Sequence, residues 1–349
     1  VSDVAEIRLS TGRARAVVST TAGMLLDASF TLDGVEHRPF ARAPWLDAPG
    51  NEDLDGQPGH LRVLGGEFVA VPFGSVGAPE PISPEWSGVV PAASPLRPHG
   101  PSADDEWMIV ESTGDSVILA LDYAEPSGIR RLERSIRIRE DAPALDFSLT
   151  LHARRPVDTA VGLHPILRLP TTPGALELAV EFERGFTYPG PVWPGAGPTR
   201  PGQTFSSLDS VPAHAGTVDL SRLPLERPTE DVVLLAGATS ALHARFLDSM
   251  THVMLDWDRG IVPHLMLWLS DAVLEETPWN GRYRGLGVEP IAAAFDFPNE
   301  VSIGANPLAE AGFRTQVHVE PEAPVCIRYS VTCLPFANMY DVNSAGPDE

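Results

Sequence analysis

Two short segments repeat one arrangement: a glycine, a titratable side chain two residues on, and then a proline. They are Val161-Gly162-Leu163-His164-Pro165 and Leu286-Gly287-Val288-Glu289-Pro290. Side chains of an extended strand alternate between its faces, so Gly162 and His164 share a face, as do Gly287 and Glu289. An imidazole and a carboxylate have ordinary pKa values of about 6.5 and about 4.3, which suits them to moving a proton each way near neutrality. The glycine beside each leaves space in which a ligand ring can lie. The proline after each holds the preceding residue extended and is expected to end the strand pairing there. Taken singly, either residue also reads as a polar group at a strand end, facing water. The matched pair singles them out.

Two further candidates lie in loops. His99 sits in Arg97-Pro98-His99-Gly100-Pro101, and Trp107 beyond it offers an apolar face of the kind on which sugar rings stack. The alternative is a simple turn histidine. Asp231 opens the apolar run Val232-Val233-Leu234 and in isolation reads as a turn carboxylate. Other chemistries lack their usual markers. The sequence has no G-x-x-x-x-G-K-[ST], no G-x-G-x-x-G opening a helix, no G-x-S-x-G and no H-E-x-x-H. Its 10 histidines form no H-x-H pair, so a cupin-like metal cluster has no support.

Strands must position these residues. The 35 prolines and 30 glycines among 349 residues break helices too often for a helix-rich protein. Period-2 alternation is strong instead: Leu145, Phe147, Leu149 and Leu151 alternate with Asp146, Ser148, Thr150 and His152. Leu132, Ile136 and Ile138 alternate likewise, and Glu140-Asp141-Ala142-Pro143 between the two runs predicts a hairpin turn. The arginines Arg130, Arg131, Arg134, Arg137 and Arg139 read as the solvated face of that hairpin. Similar patterns at 7–20, 24–32, 116–123, 158–169, 231–236, 263–269, 283–289, 312–320 and 324–334 predict an all-β protein, a large antiparallel sandwich. Pro72–Pro101 and Phe186–Pro228 interrupt the rhythm without a change of composition. They read as long loops over a single domain of residues 1–336, with 337–349 as a mobile tail.

A formal net charge of −22 repels nucleic acid and anionic membranes, and favours a neutral small molecule as ligand. Cys326 and Cys333 share one β-patterned segment. Extended chain sets their Cα atoms roughly 23 Å apart, beyond disulfide reach, and two thiols cannot form a four-cysteine zinc site. No apolar run approaches the roughly 18 residues of a membrane helix. The opening residues, Val1–Thr20, lack a signal-peptide core, so a cytoplasmic protein is expected.

In order along the chain, these segments resemble the aldose 1-epimerase, or galactose mutarotase-like, family, from about Ile7 to Leu334. Leu64-Gly65-Gly66-Glu67-Phe68-Val69-Ala70-Val71-Pro72-Phe73-Gly74 resembles a Gly-Gly…Pro…Phe-Gly segment of its hexose-phosphate branch. His99-Gly100 followed by Trp107 resembles its His-Gly…Trp loop, and His164-Pro165 a second histidine ending a strand. Asp231 falls where an aspartate precedes a strand, and Trp279-Asn280-Gly281-Arg282 through Glu289-Pro290 resembles the segment ending in a catalytic Glu-Pro. There are two departures. Leu64 stands where the family usually has an arginine, leaving Arg62 as the nearest replacement, and Pro101 stands where an aromatic usually follows His-Gly.

The resemblance implies a β-supersandwich that interconverts the α and β anomers of an aldose without metal or organic cofactor. It implies Glu289 as the base and His164 as the acid, with His99 and Asp231 holding sugar hydroxyls and Trp107 or Trp279 stacking on the ring. The unsecured arginine argues against a sugar phosphate. Two alternatives stay open: a non-catalytic carbohydrate-binding protein on the same fold, and another acid–base sugar isomerase or lyase. The sequence leaves the oligomeric state undetermined.

Overall fold

The computed structural model describes residues 6–47, 54–74, 76–93 and 97–336, so the tail expected at 337–349 lies outside the described residues. The chain opens with a meander of β1 (Glu6–Ser10), β2 (Ala14–Ser19), β3 (Leu25–Leu32) and β4 (Val35–His37). Two single-turn helices, α1 (Pro44–Asp47) and α2 (Gly59–Arg62), lead into β5 (Glu67–Ala70). A second meander follows: β6 (Met108–Ser112), β7 (Ser116–Asp122), β8 (Ile129–Ile138) and β9 (Ala144–Ala153). Next come β10 (Val157–Thr159), β11 (Val161–Arg168), β12 (Leu176–Ala179) and β13 (Phe182–Thr187). The second long loop carries four short strands, β14 (Thr204–Phe205), β15 (Val211–Pro212), β16 (Thr217–Val218) and β17 (Arg222–Leu223). After it run β18 (Thr229–Ala238), β19 (Leu242–Phe246), β20 (Thr251–Trp257), β21 (His264–Asp271) and β22 (Arg284–Ala292). The helices α3 (Asn299–Ile303) and α4 (Pro307–Glu310) precede β23 (Val317–Val319) and β24 (Val325–Leu334). Among the described residues, no helix is long and apolar enough to cross a membrane.

Two antiparallel sheets dominate. An 11-stranded sheet runs β1-β2-β3-β5-β11-β22-β21-β18-β13-β14, with β4 beside β3. A 9-stranded sheet runs β17-β12-β19-β20-β24-β9-β8-β7-β6. Alternation sends one face of each sheet into a shared core: Val69, Leu163, Leu167, Val233, Leu265 and Val288 of the larger sheet meet Leu132, Ile136, Phe147, Leu149, Val253 and Ile327 of the smaller. Each such side chain, fully buried, is worth roughly 1.5–3 kcal/mol. The opposite face of the 11-stranded sheet is also apolar. It is roofed by Trp45, Leu64, Trp86, Tyr188, Phe295 and Phe297 from the helices and long loops. That roofed face positions the site.

The expected hairpin is present, with β8 and β9 paired from Ile138↔Leu145 to Ile129↔Ala153. One of its arginines departs from expectation. Arg134 shares the parity of Leu132, Ile136 and Ile138, so it faces the core rather than water, and it is 0% exposed. It forms an ion pair with Glu67 of β5, also 0% exposed, and the Tyr329 hydroxyl donates to Glu67 Oε1 at 2.8 Å. The two sheets are thus joined by a buried charge pair.

Three other expectations need correction. Residues 7–20 are two strands, because the Thr11 hydroxyl accepts the N–H groups of Arg13 and Ala14 and turns the chain at Gly12. Only Val317–Val319 of 312–320 is strand, since the Thr315 hydroxyl is tied to the Ser302 carbonyl of α3 at 2.6 Å. Pro165 and Pro290 do not end their strands: β11 runs on to Arg168 and β22 to Ala292. A proline removes one donor but keeps the chain extended. The ladder between β11 and β22 is interrupted only between Gly162↔Ile291 and Ile166↔Gly287. The outer neighbours hold the remaining edges, Pro165 opposite Glu67 and Pro290 opposite Leu265.

Candidate active site

The interrupted stretch of the β11–β22 ladder sets His164 directly opposite Glu289. Their neighbours on the same face are Phe68 of β5, opposite His164, and Met266 of β21, opposite Glu289. One row of side chains, Phe68–His164–Glu289–Met266, therefore crosses four central strands. The next row brings Gly287 beside Trp268, and Trp268 beside Val232 of β18. These rows floor a cavity of about 180 Å³ whose walls include His60 of α2, His99 of the first long loop, Trp279 and Asp296. Sites for drug-sized ligands usually span roughly 300–1,000 Å³, so this space suits a ligand no larger than one sugar ring.

His164 Nε2 lies 3.3 Å from Glu289 Oε1. The pair is not aligned as a hydrogen bond, and both Glu289 carboxyl oxygens lack a hydrogen-bond partner. The His164 ring is fixed by stacking on Phe68, with centroids 4.3 Å apart and planes at 22°. His60 stacks with the same phenyl ring at 5.3 Å. Trp268 approaches His164 edge-on at 5.9 Å. Burial disfavours charge on both partners. It pushes the Glu289 carboxyl well up, with nearby Asp296 adding to the effect, and it pulls His164 down to about 3. Burial thus favours the neutral form of each partner, a protonated carboxyl beside an uncharged imidazole.

The glycines leave room for protein rather than for ligand. A Cβ at Gly162 would overlap the Phe73 ring, and one at Gly287 would overlap Glu289 Oε1. Both are needed for close packing.

The other expected site residues divide. His99 and Trp279 line the cavity with His164 and Glu289. His99 adopts a left-handed backbone, φ 63°, its N–H donates to the Gly74 carbonyl at 2.8 Å, and burial keeps its ring neutral. Trp107, Asp231 and Arg62 do not line the cavity. Trp107 is a core residue, 2% exposed, whose indole donates to the Ser102 carbonyl at 2.9 Å. Asp231 faces away from Val232 and is occupied by Thr199, accepting its N–H at 3.1 Å and its hydroxyl at 3.0 Å. Arg62 closes α2 and is not on a strand beside Leu64.

Sequence reasoning missed His60, Trp268, Asp296 and Glu230. Glu230, next to Asp231, points to the cavity face and accepts the Trp268 indole N–H at 2.6 Å. Burial pushes its carboxyl up to about 7, and its Oε2 has no hydrogen-bond partner. Parity puts Glu230 on the face of Val232, opposite to that of Asp231, and the pairing of β18 with β21 decides which face meets the cavity. Among the described residues, no three His, Cys, Asp or Glu side chains are arranged to hold a metal ion.

Neither family models nor curated protein sequences give a match to this chain. Solved structures do. A candidate aldose 1-epimerase of Escherichia coli K12 superposes with a TM-score of 0.64 at 13% identity, over 95% of this chain and 99% of that one. A GalM/aldose epimerase homologue from C. elegans gives 0.63 at 14%, over 96% and 100%. A galactose mutarotase-like protein from Lactobacillus casei gives 0.60 at 13%, over 95% and 100%. This chain has the galactose mutarotase-like fold. At such identities the likeness establishes the galactose mutarotase-like architecture across nearly the whole chain, and the chemistry rests on the cavity itself.

Proposed function

We propose that this protein is an aldose 1-epimerase acting on a neutral monosaccharide, with Glu289 and His164 as its proton-transfer pair. The carrying observation is the 3.3 Å approach of His164 Nε2 to Glu289 Oε1 on the floor of a small, largely apolar cavity. The ring oxygen and the anomeric oxygen of an aldopyranose share one carbon, so an acid and a base this close can serve both. Two unit charges 3.3 Å apart attract by roughly 5 kcal/mol at an effective dielectric of about 20. Desolvating the two ions costs several kcal/mol each. The neutral pair is favoured, by a margin small enough for the ion pair to form transiently.

In the first half of the reaction, His164 Nε2 takes the proton of the anomeric hydroxyl. The C1–O5 bond breaks, its electrons go to O5, and O5 takes the proton of the Glu289 carboxyl. The open-chain aldehyde rotates about C1–C2. Imidazolium then returns its proton to the carbonyl oxygen, Glu289 removes the proton from O5, and ring closure gives the other anomer. Trp268 and Trp279 supply apolar faces for the ring, and His60 and His99 supply polar contacts. A cytoplasmic location accords with the two free thiols, Cys326 and Cys333.

Among the described residues no arginine lines the cavity, and that favours a second reading, a carbohydrate-binding protein without turnover. NMR exchange spectroscopy on freshly dissolved α-D-glucose, α-D-galactose and D-xylose separates the two. Exchange above the buffer rate supports the epimerase. Binding with exchange at the buffer rate supports the second reading.

A further inference from the structure

The His164–Glu289 pair leaves a second carboxyl on the cavity without a role. Asp296 follows β22 and lies on a turn whose preceding residue, Phe295, is left-handed at φ 54°. The turn is pinned from two sides. The Val76 N–H donates to the Asp296 carbonyl at 2.9 Å, and the Tyr188 hydroxyl donates to Asp296 Oδ1 at 2.8 Å. Tyr188 is itself wedged between Phe295 and Phe297, with ring centroids 5.2 and 5.3 Å away. Unlike the fully buried Glu289, Asp296 is a half-buried residue, and it lines the cavity.

The groups facing Asp296 offer no positive charge. Tyr188 comes from the loop after β13, Glu289 from β22, His164 from β11, His60 from α2 and His99 from the first long loop. Burial lowers His60 to about 4 and His164 to about 3, and it pulls His99 well below its ordinary value, so none of the three favours a charge. A hydroxyl is the ligand group such a carboxylate receives best, and an anionic group is the one it repels.

We propose that Asp296, oriented by Tyr188, is a specificity-determining residue. It accepts a hydrogen bond from a non-anomeric hydroxyl of the monosaccharide and excludes sugars bearing an anionic group there. This rests on the reading of the cavity as a monosaccharide site. Burial pushes the Asp296 carboxyl up to about 6, while the Tyr188 hydrogen bond works in the opposite direction. Neutral-sugar affinity should therefore weaken as pH falls through that range and the carboxylate is lost.

The test is calorimetric titration of wild type, Asp296→Asn and Tyr188→Phe with D-glucose, D-galactose, D-xylose, and the uronates and 6-phosphates of the two hexoses. Circular dichroism checks that each variant is folded. Wild type is expected to bind a neutral aldose at pH 7.5 at least tenfold more tightly than its anionic counterpart, and less tightly at pH 5. Asp296→Asn should lose about tenfold or more for the neutral aldose, the scale of a charged hydrogen bond. It should also narrow the neutral-to-anionic ratio and flatten the pH profile. Tyr188→Phe should keep the profile but move its midpoint upward. Equal affinity of wild type and Asp296→Asn, an unchanged pH profile in that variant, or anionic sugars bound as tightly as their parents would overturn the proposal. Binding as expected with no anomer exchange would defeat the epimerase reading alone. Absence of binding to every neutral aldose would defeat both.

Discussion

Gly287 and Glu289, two residues apart on one face of β22, share a single volume: a Cβ at 287 would overlap Glu289 Oε1 and lie 3.2 Å from the Trp268 Cβ. Gly287→Ala must therefore push the carboxyl away from His164 or shift Trp268. A misplacement of about 1 Å in a catalytic group costs on the order of 100-fold. Anomer exchange by this variant should fall by about that factor, as measured by polarimetry, while the melting temperature changes little. Exchange at the wild-type rate would show that the carboxyl position is not critical.

A second expectation concerns pH. Burial raises the Glu289 carboxyl well above its ordinary value and lowers His164 to about 3. The proposed active form, a protonated carboxyl beside a neutral imidazole, is the one that both shifts favour. The kcat for anomer exchange should not peak between the ordinary carboxylate and imidazole values, and it should fall on the alkaline side as Glu289 ionises. A kcat that peaks between the ordinary pKa values of about 4.3 and 6.5 would instead indicate a carboxylate base with an imidazolium acid.

Much of this site was legible in the sequence, and the reasons are local. His164 and Glu289 were found because a strand has a period of two and each segment repeats one spacing. The hairpin of β8 and β9 followed from the same period. Arg134 was misassigned by residue type, although its parity with Leu132 and Ile136 already placed it inward. Asp231 was chosen over Glu230 because nothing local tells which face of β18 meets the cavity. That depends on β21 supplying Trp268 from about 38 residues downstream. Asp296 lies in a turn and His60 in the single-turn helix α2, too short to show a period, and only the roof over the sheet brings them to His164.

The buried charge pair gives a stability test. Arg134→Leu leaves Glu67 uncompensated between the sheets and should destabilise the fold by about 3–5 kcal/mol in urea unfolding. The triple change Glu67→Leu, Arg134→Leu and Tyr329→Phe removes every polar partner in the cluster and should regain most of that loss. Equal stability of wild type and Arg134→Leu would mean that the pair contributes nothing to holding the sheets.

The Trp268 indole is positioned by one bond, from its N–H to Glu230 at 2.6 Å. Glu230→Leu leaves that half-buried donor without its partner, at a cost of about 1 kcal/mol. Indole fluorescence should shift, and the KM for the preferred sugar should rise more than kcat falls. A change confined to kcat would place Glu230 in the chemical step instead.

The most direct test of the central claim is Glu289→Gln measured by NMR exchange spectroscopy beside wild type, with sugar affinity determined on the same samples. Glutamine keeps the size and hydrogen-bonding capacity of the side chain but has no transferable proton. The account predicts wild-type exchange above buffer, a fall of about 100-fold or more in Glu289→Gln, and nearly unchanged affinity. Exchange by Glu289→Gln at the wild-type rate would contradict it and put the proton-transfer pair elsewhere in the molecule.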